Sequence, residues 1–201
     1  MKNIFLTSDQ HFSHKNILQH CNRPWKTIEE MDEALITNWN TVVKHGDMVY
    51  HLGDFAMIPK PINGIPRMKL YRKLRMRLNG KIIIAGLGNH DQMAQEIYTS
   101  CFTEVHQILE RKINGYYFTM CHYPLLSWNR SHYNYKNFTN LKQCSIMLHG
   151  HCHNRLTQDN PFRIDVGIDG WNYTPILLED LIKNIEQNVI QLHSIKSNTL
   201  Q

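Results

Sequence analysis

With 201 residues, 42% of them apolar and 19% charged, the chain suits one domain whose core is large enough to be stable without staples. Its five cysteines, Cys21, Cys101, Cys121, Cys144 and Cys152, are odd in number and form no C-x-x-C pair; this argues against a disulfide framework or thiolate zinc ribbon and for reduced thiols in a cytoplasmic protein. No apolar run approaches a signal peptide or a membrane span, so no membrane partner is expected, while the formal charge of +5 keeps anionic partners open.

Lys2 to Ser8 reads as a largely apolar strand, buried on both faces of an α/β sheet, and it ends in Asp9-Gln10-His11. A carboxylate and an imidazole at i and i+2 just past a strand's carboxy end lie where α/β folds bind ligands. Alone, an Asp-x-His is more often a loop acid beside a solvated histidine. Ser13, His14 and Asn16 follow closely enough to line the same pocket. Thr27-Ile28-Glu29-Glu30 is a capping box that opens a helix with Ile28, Met31, Leu35, Trp39, Val42 and Val43 at core spacing. His45-Gly46 is expected to close it, with Gly46 at φ > 0 and Asp47 serving the turn.

Met48 to Leu52 predicts a second strand, which runs into Gly53-Asp54, again a carboxylate at a strand end. Prolines and a glycine make residues 55–66 an irregular loop, a wall or lid. The helix that follows, from about Arg67 to Leu78, is basic, and with Lys81 its cations face no acid; a solvated face explains this better than a nucleic-acid patch. Lys81 to Ala85 predicts the third strand, passing through Gly86-Leu87-Gly88 into Asn89-His90-Asp91. A helix over Gln92 to Thr99 would turn its N-terminus toward the same place.

Val105 to Ile113 and Tyr116 to Cys121 flank Asn114-Gly115, a strong hairpin signal, and the second strand delivers His122. The aromatic-rich stretch 127–140 predicts a long loop at a substrate rim. Ser145 to Leu148 predicts a strand leading into His149-Gly150-His151-Cys152-His153. In an extended segment the three histidines share one face, Gly150 lets the backbone approach a ligand, and Cys152, like Cys121, turns toward the core. Arg163 to Val166 predicts another strand. Thr174 as N-cap and Pro175 at N1 predict a final helix to about Ile190, with Glu179 and Asp180 near its positive end. The domain is placed at 1–196, with 197–201 a frayed tail.

Five strand ends thus present, in order, Asp9 with His11, then Asp54, Asn89 with His90, His122, and His151 with His153. An Asp-x-His, a Gly-Asp, a Gly-Asn-His-Asp, a lone His and a Gly-His-x-His in this order resemble the calcineurin-like metallophosphoesterase superfamily from Ser8 to His153. The resemblance implies an α/β fold, a four-layer α/β/β/α sandwich of two mixed sheets flanked by helices, with two divalent metal ions at the strand ends. It implies Asp9, His11, Asp54 and His153 as ligands of the first ion and Asp54, Asn89, His122 and His151 as ligands of the second, with Asp54 bridging. His90 matches the family's histidine that binds no metal and faces the scissile phosphate, and Asp91 matches a position that holds His90 in place. Gly86 is additional to the family's usual loop, which leaves the position of Asn89 open.

Two divalent ions about 3.5–4 Å apart can clamp the attacking and leaving oxygens of an in-line displacement and can acidify a bridging water. Mixed Asp, Asn and His ligation suits Mn²⁺ first, with Fe²⁺, Zn²⁺ or Ni²⁺ as alternatives. His14, Asn16, Arg23, Arg155, Trp171 and Tyr173 are candidates to line the substrate cleft, with plain packing as the competing role; His149 is expected to be buried and hydrogen-bonded. Small members of the superfamily are mostly phosphodiesterases, so the expected activity is hydrolysis of a phosphodiester, nucleotide-like by its aromatic loop and positive charge. Attack would come from a metal-bridging hydroxide, with His90 assisting the leaving group. A phosphomonoesterase or protein phosphatase, a nuclease, and a non-enzymatic module held by its metals are the alternatives. The sequence sets neither the natural substrate nor the oligomeric state.

Overall fold

The computed structural model describes residues 2–59, 65–131, 141–156 and 160–198, apart from the side chains of Met93 and of 189–198. Parts of two predicted loops, residues 60–64 and 132–140, and the end of the tail, 199–201, lie outside the described residues.

The apolar strand runs build a central sheet. β1 (Ile4–Thr7), β2 (Met48–His51), β3 (Lys81–Ile84) and β4 (Glu104–Val105) pair in parallel in the order β4-β3-β2-β1. β9 (Ile176–Leu177) joins antiparallel on the far edge of β1. A second mixed sheet has the order β5-β6-β7-β8, from β5 (Ile108–Ile113), β6 (Tyr116–Cys121), β7 (Ser145–His149) and β8 (Arg163–Asp165). Here β5 and β6 are antiparallel and β6, β7 and β8 parallel. The fold is therefore α/β with two mixed sheets flanked by helices.

Alternation along the central strands explains the layering. Phe5, Val49, Ile82 and Ile84 point to one side, into a core shared with Met31, Leu35 and Trp39 of α2 (Ile28–Val42), Tyr71 of α3 (Arg67–Met76) and Tyr98 of α4 (Gln95–Cys101). Leu6, Tyr50 and Ile83 point to the other, into a core shared with Phe118, Met120, Ile146 and Leu148 of the second sheet and Leu181 and Ile185 of α5 (Leu178–Asn198). Both faces of the central sheet are dry, so its strands carry almost no polar residue until they end.

Several local expectations change. The capping box at Thr27 and Glu30 forms, and α2 ends with Val43 extended; Gly46 has no positive φ, because Asp47 Oδ2 already holds the turn by accepting from the Lys44 amide at 2.8 Å. The run expected as one strand from Val105 to Ile113 divides: β4 pairs with β3, and the chain then crosses to the second sheet as β5. The final helix does not start at Thr174. Ile176 and Leu177 pair with β1 first, and α5 opens with Glu179 and Asp180 in its first turn and continues to Asn198, past the expected end and into the expected tail. The helix expected over Gln92 to Thr99 begins as a 3₁₀ turn, Gln92–Ala94, before α4. Asn114 and Gly115 form the expected hairpin turn, both at positive φ (51° and 89°). Among the described residues no helix is long and apolar enough to cross a membrane.

Candidate metal centre

The parallel register places Thr7, His51 and Ile84 side by side, so the segments after β1, β2 and β3 leave the sheet along one edge. The amides of Asp9 and His11 donate to Gly53 O and Asp54 O, each at 3.0 Å, which carries the pairing past the strands. In the second sheet the Gly150 amide donates to His122 O at 3.0 Å, and the Ile168 amide to Ser8 O at 3.1 Å joins the two sheets' ends. Gly86 is where they touch: a Cβ there would lie 2.5 Å from His122 N, so the additional glycine is what lets the end of β6 pass.

The backbone is strained where these segments meet. Asp9, His11, Asp54, His151 and His153 all have positive φ, between 47° and 67°. Asp and His tolerate this conformation better than most residues, but it still costs free energy, and such positions concentrate at functional sites. The strain corrects one expectation: β7 ends at His149, and left-handed turns rather than extended alternation aim His151 and His153. His149 stays apart, buried, with Nδ1 2.9 Å from Gly150 O.

Among the described residues four convergences result, one of them Cys21 with His153 and Asp169. Asp9, His11 and His153 bring one donor atom each within 4.8 Å of one another, and so do Asp9, Asp54 and His122. His11, His14 and His90 form the last such set, with ring centroids 5.1–5.2 Å apart. Asp54 Oδ2 stands between two imidazoles, 3.5 Å from His11 Nε2 and 3.4 Å from His122 Nε2. Both nitrogens are buried without a hydrogen-bond partner. His122 Nδ1 donates to Leu52 O at 2.8 Å, which leaves Nε2 as its lone-pair nitrogen. Two ligands of one ion at about 2.0–2.2 Å stand about 3–3.6 Å apart, so orphaned nitrogens at this spacing from a shared carboxylate oxygen fit divalent cations.

The charges agree with that fit. Burial raises the Asp9 carboxyl to about 7, with His122 and His153 pulling against it. Burial also opposes charge on His122, but Asp54 and Asp9 outweigh it and lift its pKa to about 9. At His153 burial is again outweighed, here chiefly by Asp169, and the pKa rises to about 10. Asp54 is buried too, yet His122 and His11 hold its carboxyl well below the usual range. Burial lowers His14 to about 4, helped by His90.

The other expected residues are placed as follows. His90 is half-buried, and its amide donates to Asp54 Oδ1 at 3.0 Å. Asp91 is fully buried: it accepts from the amides of Asp54 (2.7 Å), Phe55 (3.2 Å) and Gly88 (2.8 Å) and from the Tyr98 hydroxyl (2.6 Å), tying the loops after β2 and β3 to α4. Asn89 is exposed in its turn. His151 is exposed; its amide donates to the Asp9 carboxylate at 3.0 Å and its ring lies 5.1 Å from that of His122.

Of the cleft candidates only His14 reaches this group, with Nδ1 3.1 Å from His11 Nδ1. Asn16 is exposed, and its carbonyl accepts from Gln19 and His20 at the start of α1 (Ile17–His20). Arg23 is buried behind the site on Asp169. Tyr173 packs on Trp25, and Trp171 Nε1 donates to Asp165 O at 2.8 Å. Arg155 donates to His20 O at the surface. Cys121 lies in the core as expected, whereas Cys152 is half-buried, carried outward by the turn at His151. All five cysteines are free thiols.

Sequence reasoning missed Asp169, Tyr98 and Asp32. Asp169 Oδ2 accepts from His153 Nδ1 at 2.7 Å; Asp32 of α2 accepts from the Ser13 amide (3.0 and 3.1 Å) and hydroxyl (3.1 Å), bracing the loop before His14. An acid within a helix and one after a glycine turn carry no local mark of such partners.

Comparison with known proteins gives relatives without an assigned activity. The chain is 35% identical over 196 residues to the uncharacterized protein MJ1445 of Methanocaldococcus jannaschii, covering 94% of this chain and 95% of that one. It is 26% identical to the gene 66 protein of Mycobacterium phage D29, covering 94% of this chain and all of that protein. A crystal structure of a protein of unknown function, AQ665 from Aquifex aeolicus, superposes with a TM-score of 0.66 at 24% identity, over 91% of this chain and 99% of that one, and supports the fold alone. No family model matches the chain.

Proposed function

The chain belongs to one family with the archaeal protein MJ1445, and from the site it carries we propose a phosphoesterase that works with two divalent metal ions, Mn²⁺ first among them, and prefers phosphodiesters. Its fold is then the metallophosphoesterase-like four-layer sandwich. The observation that carries the reading is Asp54 Oδ2 set 3.5 and 3.4 Å from the partnerless Nε2 atoms of His11 and His122, as a bridging carboxylate requires. Asp9, His11, Asp54 and His153 would hold one ion, and Asp54, Asn89, His122 and His151 the other. When bound, the ions supply Lewis acidity to the phosphoryl oxygens and a water acidified toward neutral pH.

The chain's own residues do the rest. Asp54 and Asp9, both buried, would hold the cations at the sheets' edge, and the Leu52 carbonyl keeps His122 Nε2 turned inward. His90, half-exposed beside His11 and His14, is the group placed to give a proton to the leaving oxygen. Asp91 holds the backbone of Asp54 and Gly88, so both loops keep one geometry through turnover.

The test is hydrolysis of bis-p-nitrophenyl phosphate against p-nitrophenyl phosphate by metal-stripped protein titrated with Mn²⁺. Metal-dependent turnover of the diester, lost in Asp54→Asn, is the expected result. Turnover of the monoester alone replaces this reading with a phosphomonoesterase, and bound metal without turnover of either replaces it with a metal-held binding module.

A further inference from the structure

Arg23 is only 5% exposed, yet its guanidinium is fully engaged beside the site. Nε donates to Asp169 Oδ1 and Nη2 to Asp169 Oδ2, both at 2.9 Å, the two-pronged pairing that gives arginine–carboxylate contacts their directional strength. Nη2 also donates to Asp9 O at 2.7 Å, and Nη1 to Gln10 O at 2.8 Å. On its other side Asp169 Oδ2 accepts from His153 Nδ1 at 2.7 Å. One buried cation thus holds the strained backbone at Asp9, where φ is 62°, and the carboxylate that orients His153. Asp9 and His153 belong to the same three-donor set, so this chain of bonds sets their relative position.

We propose that Asp169, held by Arg23, is the positioning residue for His153 as a metal ligand; this rests on the metal reading above. Occupying Nδ1 leaves Nε2 as the donor of His153, and a carboxylate behind a ligating imidazole fixes the ring and raises its basicity. Arg23 keeps that carboxylate ionised and stationary in a buried place where an unpaired acid would be expelled or protonated. The residues the sequence offered for the substrate cleft at Arg23 and Tyr173 then have another job: Arg23 works behind the site, and the Tyr173 ring, 5.9 Å from the guanidinium, covers it.

The experiment measures Mn²⁺ binding to metal-stripped wild type, Asp169→Asn and Arg23→Lys by calorimetry, alongside the thermal midpoint of each metal-free protein. Asp169 Oδ2 accepts from both Arg23 Nη2 and His153 Nδ1 while Oδ1 accepts from Arg23 Nε, so an amide, uncharged and with an NH2 group at one of these two positions, cannot keep all three bonds; an ammonium cannot span Asp169 and two carbonyls. The expected result is two ions on the wild type and, in Asp169→Asn, about a 10–100-fold loss of affinity at one site with the other within about threefold of wild type. Arg23→Lys should weaken the same site by a smaller factor, and it carries the test if Asp169→Asn does not fold. Unchanged affinities, or equal weakening at both sites, overturn the inference whatever the midpoints do. A wild type that binds no divalent ion overturns the metal reading itself, and this inference with it.

Discussion

The Tyr98 hydroxyl donates to Asp91 Oδ1 at 2.6 Å at a point where both side chains are sealed from water. The other oxygen of that carboxylate takes the amides of Asp54 and Gly88, so the bond ties α4 to the loops after β2 and β3.

Removing the hydroxyl leaves a buried carboxylate with one donor fewer, and burial already pushes the Asp91 pKa upward. Tyr98→Phe should therefore lower stability by about 1–3 kcal/mol, read as a shift in the denaturant midpoint at unchanged slope. A variant as stable as wild type would mean the ring's packing, and not its hydroxyl, holds α4 in place.

His90 and Asp54 should fail in different ways. His90→Ala removes a proton donor that no expected ion needs, so turnover of a diester should fall by about 10²–10⁴ while bound metal stays nearly constant. Asp54→Asn should lose metal together with turnover. Equal metal loss in both variants would move His90 into the ligand set.

Metal affinity and metal-free stability should respond to pH with opposite signs. His122 and His153 have folded-state pKa values of about 9 and 10, above the ordinary imidazole value of about 6.5. Without metal they carry protons near pH 7, and the stabilisation this gives is complete below about 6.5 and lost as pH rises toward 9–10. A metal must displace those protons, so apparent Mn²⁺ affinity should rise between pH 6 and 8, by up to about tenfold per unit for each proton released. Calorimetry in buffers of different ionisation enthalpy counts the protons; a flat affinity over that range would show that these imidazoles are not the ligands.

Gly86→Ala tests the contact between the two sheets. Its Cβ would meet the His122 amide and the Cys121 backbone, neither of which can rotate away. The cost should reach about 1–3 kcal/mol, with the His122 donor set weakened as well. Wild-type stability and metal content together would show that the sheets' ends can separate freely.

Much of the fold was readable because its signals are local. The capping box at Thr27, the Asn114-Gly115 turn and the apolar runs that become β1, β2 and β3 each follow from a few neighbouring residues. The candidate ligands were readable for a related reason: a carboxylate or imidazole directly after an apolar strand is visible in one dimension, as Asp9, Asp54 and His122 are.

What the sequence by itself determined was therefore the class of elements and the residue types at their ends. Tertiary structure alone decided the division of β4 from β5, the capture of Ile176 and Leu177 by β1, the burial of Asp91 under Tyr98 and the pairing of Arg23 with Asp169. The physical reason is range. Propensity, capping and turn chemistry act over a few residues, whereas a buried charge chooses its partner from whatever the sheet register brings beside it, and for Arg23 that partner lies on the loop after the last strand of the other sheet.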